Sequence, residues 1–135
     1  MHHPQERMRA AAALWGLLRV GLGTTALFAP HAALRPWVGT VPDPAGEVLG
    51  RALGGRDIAL GAGTAVSAAT GRAAVPWIVA SGCADAADAV LTLASRERLP
   101  RGGRDLVAAA SAGSALASVV LATGYAWQRR RGQPS

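Results

Sequence analysis

Charged residues are missing from four long stretches of this chain. None occurs in the 23 positions from Leu106 to Gln128, where a soluble domain would hold roughly six. Val20 to Leu34, Ile58 to Gly71 and Ala73 to Ala84 are uncharged as well. The apolar positions are mostly Ala, with Leu and Val. A helix needs about 20 such residues to cross a bilayer, and four segments reach that length. They cover about 10–29, 48–70, 75–95 and 105–127. The pattern predicts an all-α fold: a four-helix transmembrane bundle with antiparallel up-down neighbours. It forms one integral membrane domain, with tails 1–9 and 128–135 flexible.

The connections differ in kind. Residues 30–47 contain Pro30, Pro36, Pro42 and Pro44 and cannot form one helix. Trp37 within them is expected at the membrane surface. Gly71 to Ala74 is so short that the second and third segments must form a tight antiparallel hairpin. Pro76 falls in the first turn of the third segment, where proline is tolerated. Arg7, Arg9, Arg72 and Arg129 to Arg131 share one side of such a bundle. Arg35, Arg96, Arg98, Arg101 and Arg104 share the other. The charge rule for loops barely separates the two. The three arginines abutting the last segment favour cytoplasmic termini. Trp15, Trp77, Tyr125 and Trp127 are expected toward that same interface.

Composition sharpens this picture. Only 16% of residues are charged, the formal charge is +6, and every basic residue is Arg. The lack of Lys fits a GC-rich bacterial genome. A basic balance can signal nucleic acid, but these arginines sit in tails and connections, without interleaved aromatics. The first segment is longer than a signal-peptide core of about 7–15 residues, contains Arg19, and lacks a clean cleavage site; a retained helix is expected. The single cysteine, Cys83, rules out an intrachain disulfide and reads as a small buried residue. His2, His3 and His31 have no partner at metal-ligand spacing; neither a metal nor a cofactor is expected.

The informative residues are the ionisable ones inside the spans: Arg19, Arg51, Arg56, Asp57, Asp85 and Asp88. A central charge costs about 2.5–3.5 kcal/mol to insert. The second segment holds three, up to roughly 9 kcal/mol, against roughly 2–3 from its Leu, Ile and Val. It should enter only as a hairpin with the third. Arg56 and Asp88 lie equally far from Arg72, about 24 Å along each helix. This predicts an Arg56–Asp88 or Arg56–Asp85 contact, off-centre and away from the turn. Asp85 and Asp88 share a face, which continues as Ser81, Asp85, Asp88 and Thr92. Arg19 is placed to reach Asp85, and Arg51 to snorkel toward water. With three charges of each sign, the set suits a packing role. The alternatives are a proton or ion path, or a polar-ligand site for a lipid headgroup or quinone, using Asp85 and Asp88.

Catalytic motifs are absent. Asp85-x-x-Asp88 resembles the opening of the CDP-alcohol phosphotransferase motif, but Ala89 stands where that motif has Gly, and no second Asp pair follows. Two carboxylates make a poor Mg²⁺ site. Gly54-Gly55-Arg56-Asp57 lacks the Lys-Ser/Thr of a phosphate loop.

Gly50-Arg51-Ala52-Leu53-Gly54-Gly55-Arg56-Asp57, followed by Asp85-Ala86-Ala87-Asp88, resembles a family of small four-span membrane proteins frequent in actinobacteria, a domain of unknown function. In that family the same Gly-Arg-x-Leu-Gly-x-Arg-Asp pattern accompanies an Asp-x-x-Asp in the next helix. A looser similarity links the chain to DoxX-like four-helix membrane proteins. The resemblance implies four helices in the bacterial inner membrane and no activity. The expectation is thus a non-enzymatic multi-pass protein whose charge cluster organises packing, with a small transporter or channel component as the alternative. Its expected partners are the lipid bilayer and a second copy or another membrane subunit.

Overall fold

The computed structural model describes residues 4–40 and 43–131. Expectations for His2, His3, Pro42 and the outer ends of both tails lie outside the described residues. The fold is all-α, with five helices: α1 (Pro4–Phe28), α2 (Pro30–Val38), α3 (Pro44–Thr70), α4 (Ala74–Ala94) and α5 (Arg101–Arg131). Three of them, over Gln5–Phe28, Ala74–Ala94 and Arg101–Trp127, are long and apolar enough to cross a membrane. Four were expected. α3 has the length, at 27 residues, but carries Glu47, Arg51, Arg56 and Asp57 and is too polar to qualify alone.

Local signals explain where the helices begin and end. α3 starts before Val48 because Asp43 caps it, accepting the Gly46 N–H at 2.7 Å, and Pro44 follows at the first helical position, where its fixed φ fits and no N–H is missed. α3 stops at Gly71, whose φ of 71° suits glycine. The proline-rich connection is not all loop. Pro30 opens α2, Pro36 lies inside it, and Gly39 ends it with φ 79° and its N–H on the Arg35 carbonyl. His31 therefore sits in α2, where it pairs with Glu47. Residues 4–9 and 128–131 continue α1 and α5.

α1 runs antiparallel along α3, and α4 along α5. The first seam is built from heptad spacing. Ala12, Gly16, Arg19 and Gly23 are buried on α1; Gly54, Gly61, Thr64 and Ala68 are buried on α3. A Cβ on Gly16 would lie 2.5 Å from the Gly61 carbonyl oxygen, and one on Gly23 2.6 Å from that of Gly54. Backbones this close require glycine on both sides, and apolar helices in lipid associate mainly through such contacts. Gly50 and Gly54 divide their contacts: Gly50 meets Leu34 of α2, Gly54 meets α1.

Burial is inverted relative to a water-soluble protein. Ile78 and Pro30 are the only residues larger than Ala among the buried apolar ones described, beside buried Arg19, Thr64, Ser81, Asp85, Thr92 and Ser118. Leu22 is 70% and Phe28 75% exposed, and Leu14, Leu91, Leu116 and Val120 also face outward. Such a surface fits a bilayer, where outward leucine costs nothing and inward charge must find a partner. Cys83 corrects the expectation of burial: it is exposed. An apolar neighbourhood in sequence marks the interior only when the solvent is water.

Candidate functional site

Two arginines and three aspartates form one connected chain between the helices. Arg19 of α1 donates to Asp57 Oδ1 of α3 at 3.0 Å and, through its other terminal nitrogen, to Asp85 Oδ2 of α4. Arg56 of α3 grips Asp88 of α4 with two hydrogen bonds of 2.8 and 3.2 Å and also reaches Asp57 at 3.1 Å. The order is Asp85, Arg19, Asp57, Arg56, Asp88. Ser114 of α5 donates to the Asp85 oxygen that Arg19 holds. Four helices thus contribute, each near its midpoint. Arg19 is 7% and Asp85 6% exposed, so these charges meet no bulk solvent.

The placement follows from the seams. Arg19 and Asp57 occupy the heptad positions between the paired glycines, so the seam that brings α1 and α3 together also brings them into contact. Asp85 lies 11 residues from the start of α4, about 16 Å along the axis.

Arg51 is not part of it. It donates to the Leu27 carbonyl at 3.0 Å, at the C-terminal end of α1. The network is consequently not neutral: two arginines face three aspartates. Arg9 plays a matching part at the other end of the seam, donating to Ala68 and Ala69 carbonyls at 3.0 and 2.8 Å. Each arginine donates to carbonyls in the last turn of a helix, where the helix dipole also favours a cation. Asp85 and Asp88, although three residues apart, turn to different arginines. Among the described residues, no group of His, Cys, Asp and Glu is arranged to hold a metal ion.

Beside the network lies a cleft of about 620 Å³. Its floor is Arg19, Asp57, Asp85 and Asp88, with Ser111 and Ser114 at one side; Leu17, Leu18 and Leu22 form the opposite wall. It lies between α1 and α5. These helices meet at one end, where Met8 packs on Gly124. At the other end α2 closes the gap, with the Pro36 and Trp37 backbone against Gly103 of α5. The leucines of that wall are themselves exposed, so the cleft opens between apolar side chains.

Ser114 and Arg9 lie outside the six ionisable residues that the sequence singles out. Ser111, Ser114 and Ser118 recur on α5 with the spacing of the polar stripe on α4, and that shared period was the available signal. Ser118, Ser81 and Thr92 are buried with hydroxyls that no hydrogen bond reaches. No protein-family model, curated protein or solved structure matches this chain.

Proposed function

We propose that this chain is a non-enzymatic, multi-pass protein of the bacterial inner membrane with cytoplasmic termini. In this reading α3 is the fourth crossing, which completes an up-down four-helix bundle, and the arginine–aspartate network fixes how the helices assemble. The supporting observation is the network itself, which joins side chains of α1, α3, α4 and α5 near their midpoints. A helix as polar as α3 can lie within hydrocarbon if its charges are covered, and α1 and α4 cover them. The resemblance to small four-span actinobacterial proteins agrees with this reading.

The test is a comparison of Arg56→Leu, Asp88→Leu and the double variant in detergent. Each single change strands a partly buried charge and should cost about 2 kcal/mol or more; the double should cost less than about 1 kcal/mol. A double variant as unstable as the sum of the singles would remove the packing role.

A further inference from the structure

The network carries one negative charge more than its arginines balance, and it borders a cleft that opens toward the lipid. We propose that this cleft binds lipophilic organic cations: molecules with one positive head, such as an ammonium or phosphonium, on an apolar body. The site rests on the four-crossing reading, since the opening faces lipid only if α1 and α5 both span the membrane.

Three observations select this ligand class. The first is charge: Arg51, the only other arginine of the motif, is held at the end of α1, so two cations serve three carboxylates. The second is an available acceptor. Asp85 lines the cleft and is more than nine-tenths buried. Its Oδ2 takes both Arg19 and Ser114, and among the described residues no hydrogen bond reaches its Oδ1. A bare carboxylate oxygen in this setting favours a cation and repels an anionic headgroup. The third is the wall. Leucines supply apolar surface, and the indole of Trp15 borders the same space; an aromatic face adds attraction for a cation. The volume lies within the range of about 300–1,000 Å³ usual for small-molecule sites. Closure at Met8–Gly124 and at α2–Gly103 leaves lateral entry from the bilayer.

The experiment titrates the full chain in maltoside micelles with tetraphenylphosphonium and with tetraphenylborate, followed by calorimetry with empty micelles subtracted. The two probes share a shape and differ in sign. Saturable cation binding, about tenfold or more tighter than the anion, is expected. Asp85→Asn should weaken it about tenfold. Gly21→Leu combined with Ala110→Leu should weaken it as much by filling the cleft, because both line it and a Cβ on Gly21 has nothing within 4 Å. Equal affinity for the two probes, or no cation binding above empty micelles, overturns the proposal. So does unchanged binding in the filled cleft, which decides the matter should Asp85→Asn not fold. Failure in a chain that passes the Arg56/Asp88 stability test removes the site and leaves the packing role standing.

Discussion

Removing a base from the network should cost far more than removing an acid. Arg19→Gln leaves one arginine for three aspartates. Asp85 then keeps only the Ser114 hydroxyl, while Asp57 retains Arg56 at 3.1 Å. With Asp85 only 6% exposed, an uncompensated charge there should cost about 3–5 kcal/mol. Asp85→Asn does the reverse. It leaves two arginines for two aspartates, Arg19 keeps Asp57 at 3.0 Å, and the amide oxygen still accepts a hydrogen bond. The expected loss is about 1 kcal/mol or less. Unfolding by rising SDS fraction in mixed micelles, followed by circular dichroism, measures both. The two variants should differ by about 2–4 kcal/mol. Equal losses, or a larger loss for Asp85→Asn, would refute the charge imbalance and with it the assignment of Arg51 to the outside of the network.

Other consequences follow from single contacts. Gly23→Leu should disrupt the α1–α3 seam by at least about 2 kcal/mol, while Gly21→Ala, with open space around it, should be neutral or stabilising; the same unfolding assay separates them. Ser114→Ala removes a donor from Asp85 and should cost about 1–2 kcal/mol, whereas Ser118→Ala, whose hydroxyl has no partner, should be neutral or slightly stabilising. Arg9→Ala exposes the last carbonyls of α3 and should lower stability by about 0.5–1 kcal/mol, with hydrogen exchange rising first near Ala68. Cys83, exposed midway along α4, should resist charged thiol reagents in vesicles and react with apolar ones.

The parts of the site legible in sequence were those fixed by local geometry. The stripe Ser81, Asp85, Asp88, Thr92 is the only polar period in an apolar helix. Arg56 and Asp88 are equally far from a four-residue turn, so a hairpin brings them together whatever the rest does. The Arg19–Asp57 contact was not legible, because α2 intervenes between α1 and α3, and nothing local sets the register across it. That register comes from Gly16 and Gly23 meeting Gly61 and Gly54, a heptad match between distant segments. The prolines of 30–47 hid α2 because proline at a first helical position favours a helix instead of breaking it. Cys83 was misplaced because both the interior and the lipid-facing surface of such a bundle are apolar.

The account depends on α3 crossing the membrane despite its charges. In a Cys83→Ala background, single cysteines at Gly46 in the first turn of α3 and at Arg72 just past its end can be probed with an impermeant thiol reagent in intact cells and in inverted vesicles. Labelling of the two positions from opposite faces is the predicted result. Labelling of both from the same face would contradict it, since a re-entrant or surface-lying α3 could not hold Arg56 and Asp57 at the depth of Asp85.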